Sequence, residues 1–79
     1  MKESEKMKPI KITTDFITLG QFLKWINLAS SGGEIKMILE TVQIKVNGVL
    51  EKRRGKKLYP KDEIMIEDAG VFVIVKNNS

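Results

Sequence analysis

Residues 18–48 read TLGQFLKWINLASSGGEIKMILETVQIKVNG, and their patterning decides the fold. Thr18 opens a helix in which Leu19, Phe22, Leu23 and Ile26 recur at i, i+3, i+4 and i+7, one apolar stripe. Gln21, Lys24 and Asn27 lie off the stripe, whereas Trp25 and Leu28 widen the apolar arc, so the helix is expected to meet two neighbours. The segment Ala29-Ser30-Ser31-Gly32-Gly33 ends it. Ser31-Gly32-Gly33-Glu34 has the form of a capping box, in which the hydroxyl accepts from the Glu34 amide and the carboxylate reaches back to the Ser31 amide. The second helix carries its own stripe, Ile35, Ile38, Leu39 and Val42, with Lys36 and Glu40 spaced as an i, i+4 pair. Strand alternation follows, with Ile44 and Val46 inward and Lys45 outward. It ends on Asn47-Gly48, a strong hairpin signal because both residues tolerate positive φ.

The flanks complete an α+β pattern. Upstream, Pro9 to Thr13 alternates with Ile10 and Ile12 on one side. Pro9 cannot donate to a ladder, so that strand begins there or lies at a sheet edge. Downstream, Val49 and Leu50 begin the return from the hairpin, and Pro60-Lys61-Asp62 reads as a turn. Ile64 and Ile66 alternate in a strand, Asp68-Ala69-Gly70 turns, and Val71 to Val75 forms the last strand. The expected architecture is α+β: a helical hairpin packed on a small, mostly antiparallel β-sheet. Residues 9–76 form one domain, with a tail at 1–8 and another at 77–79.

Composition removes whole classes of function. The 79 residues include no cysteine and no histidine. A disulfide framework, a thiolate zinc site, a cysteine nucleophile and the commonest general base therefore disappear together. The acid pairs Asp62-Glu63 and Glu67-Asp68 have no such partner beside them, and neighbours on a strand point to opposite faces. Neither catalysis nor a cofactor, metal or small-molecule substrate is expected. No apolar run reaches the roughly 20 residues of a membrane span, and Met1 to Lys8 carries no apolar core of a signal peptide. A cytoplasmic monomer is the expectation.

Charge then points to a partner. Residues 1–61 hold 13 Lys/Arg against six Asp/Glu, and residues 62–79 hold one against four. Six of the ten residues from Lys52 to Lys61 are basic and none is acidic, a concentration suited to a polyanion. Lys52, Arg53, Arg54, Lys56 and Lys57 are the candidate phosphate ligands, with Gly55 keeping the loop adaptable. Neutralising about five phosphates would make log affinity fall against log salt with a slope of roughly −3.5 to −4.5. The start of the second helix adds free amides at Gly32 and Gly33, with Lys36 one turn in. Trp25 in so apolar a helix reads as core. Aromatic residues make up only 6% of the chain, too few for a base-stacking platform, so a nucleic-acid partner would be met through its shape and backbone.

In their order these motifs resemble the S-four-like RNA-binding domain, or αL motif, across residues 18–66. The family pattern is a leucine-rich helix, a small-residue turn into a lysine-bearing helix, a strand ending in Val-Asn-Gly, a basic loop and a turn into a further strand. Here those parts are Leu19 to Leu28, Ala29 to Lys36, Ile44 to Gly48 and Pro60 to Ile64. Ile17-Thr18-Leu19-Gly20-Gln21-Phe22-Leu23-Lys24, Ser31-Gly32-Gly33 and Val46 through Leu58 are most similar to short stand-alone bacterial members of the YaaA and YbcJ type. The resemblance implies binding of structured RNA, ribosomal RNA above all. It adds Gln21, Lys24 and Ser31 on the helix pair, and Asn47 and Gly48 at the hairpin corner, to the candidate contacts. Thr18 and Gly32 stand where many members carry arginine, so those arginine contacts do not transfer. Thr41 and Lys61 stand where many carry glycine. A protein-docking module on a ribosomal or replication protein, and a duplex DNA-binding module, are the alternatives.

Overall fold

The computed structural model describes residues 7–77. Seven strands and two helices run in the order β1 (Met7–Ile12), β2 (Ile17–Thr18), α1 (Leu19–Trp25), α2 (Gly32–Thr41), β3 (Ile44–Val46), β4 (Val49–Leu50), β5 (Lys57–Leu58), β6 (Glu63–Ile66) and β7 (Gly70–Lys76). Five strands form one sheet in the order β1-β7-β6-β3-β4, and β2 pairs with β5 separately. All pairings are antiparallel except β1 with β7. The result is an α+β domain on a mostly antiparallel sheet. No helix among the described residues is long and apolar enough to cross a membrane.

The two apolar stripes meet the sheet. Leu19, Phe22 and Leu23 of α1 and Ile35 and Leu39 of α2 share a buried cluster with Ile44, Val46, Ile64, Ile66, Phe72 and Ile74. At its centre the Phe22 and Phe72 rings stand edge to face, 5.4 Å apart, the arrangement that the ring quadrupole favours. Asn47 and Gly48 take φ of 53° and 85° and close the β3–β4 hairpin as the dipeptide requires.

Several local expectations need correction. β1 begins at Met7, not Pro9, and stops at Ile12. It lies at the sheet edge, where the missing Pro9 amide costs no ladder bond. Of the expected tails, residues 1–6, 78 and 79 lie outside the described residues. α1 stops at Trp25, short of the Ala29 boundary, because Asn27 turns left-handed at φ 63°. Its amide bonds the Lys24 carbonyl at 3.0 Å and the Leu28 amide bonds that of Leu23 at 3.0 Å, which is a Schellman closure. The early stop leaves Trp25 and Leu28 exposed, not core. At the front, Thr18 caps the helix with Gln21 in a capping box of its own. Ser31 caps α2 through its hydroxyl, accepting from the Glu34 amide at 3.3 Å. The Glu34 carboxylate reaches not Ser31 but Ser30, accepting from its amide at 2.6 Å and its hydroxyl at 2.7 Å. No ion pair within 4.0 Å joins Lys36 to Glu40. Finally, β2 and β5 form a short ladder, Ile17 opposite Leu58 and Thr18 opposite Lys57, that periodicity did not announce.

Candidate nucleic-acid interface

The loop between β4 and β5 carries the basic run, and backbone hydrogen bonds seat it on α1. The Leu19 amide donates to the Lys56 carbonyl at 2.8 Å and the Gly20 amide to the Arg54 carbonyl at 2.9 Å. Helix starts leave such amides unsatisfied, so the loop caps α1 with its own carbonyls. Gly20 packs against this carbonyl: a Cβ there would meet the Arg54 oxygen at 3.5 Å, an ordinary contact.

This seating brings Arg54 to the start of α2. A Cβ on Gly32 would lie 3.8 Å from the Arg54 Nη1, and one on Gly33 would meet nothing within 4 Å. Among the described residues the Gly32 and Gly33 amides have no hydrogen-bond partner. Lys36 is exposed farther along α2, and Lys24 is exposed on α1. Lys56, Lys57 and Arg53 line a shallow groove with Gly55 and Tyr59.

The remaining cations do not all join this ledge. The Arg53 Nε donates to Glu51 Oε2 at 2.9 Å and its Nη2 to Oε1 at 3.3 Å, a fork that offsets its charge. Arg53 in turn holds the Glu51 carboxyl below the usual carboxylate range, chiefly by its side-chain hydrogen bond. Lys52 lines a different depression, together with Glu40 and Glu67. Glu34 is also held below the usual range, by the hydrogen bonds from Ser30.

The hairpin corner is engaged within the fold. The Asn47 Nδ2 donates to Asp62 Oδ1 at 3.1 Å, and its Oδ1 accepts from the Glu63 amide at 2.9 Å. Asp62 accepts from the Tyr59 amide as well, at 2.8 Å. Asn47 thus ties the hairpin to the Pro60–Asp62 turn. Gly48 sits in open space at its corner. On α1, Gln21 spends its Oε1 on the Thr18 amide and hydroxyl. Ser31 spends its hydroxyl on the cap of α2.

The sequence places Tyr59 within the basic stretch but gives no sign that Phe16 joins it. Phe16 lies 5.6 Å from Tyr59 between ring centroids, and the Lys57 Nζ lies 4.9 Å from the Phe16 centroid. Trp25 is 53% exposed. Spacing could have flagged Phe16, an aromatic residue in a polar stretch between two strands. No group of three or more metal-ligating side chains gathers among the described residues.

Two helices backed by a sheet, with a cationic loop docked by its backbone on the start of α1, define a small basic α+β module. The S4 domain model matches residues 10–75, and the chain belongs to that family. It is 46% identical over 67 residues to the "Probable ribosome maturation protein RlbA" of Bacillus subtilis (strain 168), across 85% of this chain and 94% of that protein.

Proposed function

We propose that this protein is a cytosolic, non-enzymatic RNA-binding monomer that grips structured RNA, ribosomal RNA or an assembly intermediate. On this reading α1 and α2 act as the helical hairpin of an αL motif, within a single domain of residues 9–76. Phosphates bind at the open amides of Gly32 and Gly33 with Arg54 beside them, and Lys24, Lys36, Lys56 and Lys57 extend the footprint. The observation that carries this reading is the use of glycine at 32 and 33. Neither residue has positive φ, and no neighbour crowds either one. Each glycine costs helix stability of up to about 1 kcal/mol relative to alanine. A phosphate approaching the backbone closely explains both. Membership in the S4 domain family and the similarity to a probable ribosome maturation protein of Bacillus subtilis support the ribosomal direction.

Filter binding against ribosomal RNA fragments across a salt series tests the reading. Tight binding that weakens steeply with salt is the expected result, and no retention at low salt refutes it. An excess of duplex DNA of equal length should compete poorly. The protein-docking alternative draws on the exposed Met37, Val49 and Leu50. A partner captured equally well after ribonuclease treatment would favour it.

A further inference from the structure

The five aromatic side chains divide into two sets. Phe22 and Phe72 fill the core, whereas Phe16, Trp25 and Tyr59 lie outside it. Phe16 and Trp25 line one cleft of about 880 Å³, beside buried Ile12 and Ile17 and the polar Gln21 and Lys24. That volume is within the roughly 300–1,000 Å³ typical of sites for small organic groups. The Phe16 ring also touches Tyr59 and Lys57, so it joins the cleft to the basic loop. One cation, Lys24, lines the cleft, and a second, Lys57, stands over the Phe16 ring.

We propose that this cleft receives one unpaired nucleobase of the bound RNA, stacked on Trp25 and Phe16, with the adjoining phosphates on Lys24 and Lys57. This rests on the RNA reading above and adds a site to it. Two features favour a neutral planar group inside with charge only at the rim. Most of the cleft lining is uncharged, and its one carboxylate, Asp15, is paired to Lys76 at 3.2 Å. Gln21 commits its Oε1 to Thr18, which orients the amide and leaves Nε2 to donate to a base acceptor. An aromatic face accepts any base, so the cleft selects for an extruded nucleotide and not for a sequence.

Trp25 is the single tryptophan, so its emission reports this cleft alone. The probes are two dye-labelled RNA hairpins with the same stem, one carrying a single bulged adenosine. Dye anisotropy measures total binding, and tryptophan emission measures occupancy of the cleft. The bulged hairpin is expected to bind more tightly and to quench Trp25. Trp25→Ala should weaken it by about 5- to 150-fold, toward the affinity of the paired hairpin. Trp25→Phe should keep the preference. Trp25 is outside the core, so circular dichroism of both variants should match the parent protein. Equal affinity for both hairpins with unchanged emission overturns the cleft and leaves RNA binding intact. No anisotropy change with either hairpin at low salt overturns both.

Discussion

Lys52 and Arg54 lie two residues apart in the same basic run, yet they should behave differently when removed. The fold sets Lys52 in a depression with Glu40 and Glu67, and sets Arg54 beside the free amides of α2. An alanine at 54 leaves the loop seated, because the bond to Gly20 comes from the backbone carbonyl. Each phosphate contact contributes about 0.7–0.9 to the slope of log affinity against log salt. Arg54→Ala should therefore flatten the slope by about that amount, and Lys52→Ala should leave it unchanged. Over a fourfold salt range the parent protein should lose about 2.6- to 3.5-fold more affinity than the Arg54 variant. Fluorescence anisotropy with one structured RNA, at matched temperature and several potassium chloride concentrations, gives both slopes. Equal flattening by the two substitutions would refute the reasoning: the run would then act as a diffuse cloud of charge, and the position of each cation would not matter.

Glu51→Gln releases Arg53 from its carboxylate fork, so RNA affinity at low salt should rise and the salt slope should steepen by up to about 0.7–0.9; an unchanged slope would mean that Arg53 takes no part. Gly33→Ala should raise the melting temperature, since helix propensity improves by up to about 1 kcal/mol in open space, while weakening RNA binding. A stabilised variant with parental affinity would remove Gly33 from the site. Lys61 is held at φ 80° without the small polar side chain that eases Asn27, Asn47 and Asp68 into this region. Lys61→Gly relieves about 1–2 kcal/mol of left-handed strain against about 0.5–1 kcal/mol of added chain entropy, a net gain of up to about 1.5 kcal/mol that thermal melting should show as a rise of up to about 6–12 °C.

Much of the fold was legible because burial here follows local periodicity. Leu19, Phe22 and Leu23, then Ile35 and Leu39, then Ile44, Val46, Ile64 and Ile66 are all buried, at the spacings their elements impose. What was not legible depends on contacts distant in sequence. The parallel pairing of β1 with β7 joins the two ends of the domain, and no local pattern encodes it. Trp25 read as core because it extends an apolar arc, but Asn27 ends the helix one turn early and leaves the ring about half exposed. Lys61 in place of glycine still makes its turn, at the expense of a strained φ, so a departure from the family pattern did not predict a different backbone. In the candidate site, the run at 52–57 gave the charge but not its partition. Only the fold shows Glu51 folding back on Arg53, and Glu40 and Glu67 flanking Lys52.

The two helix starts explain why the basic loop belongs to the proposed site. Both helices begin near this loop, but their amides have opposite fates. Those of Leu19 and Gly20 are taken by the Lys56 and Arg54 carbonyls, and that of Gln21 by the Thr18 hydroxyl at 3.2 Å, so α1 offers an anion nothing. At α2, Ser31 satisfies only Glu34 and Ile35, leaving Gly32 and Gly33 open. The bonds that close the first helix start fix the backbone from which the Arg54 side chain extends to the second. Capping of α1 and charging of α2 are thus one structural event. Loss of the loop's seat on Leu19 and Gly20 would uncover one helix start and strip the other of its arginine, so under the proposed RNA-binding function the same two carbonyls would serve both stability and recognition.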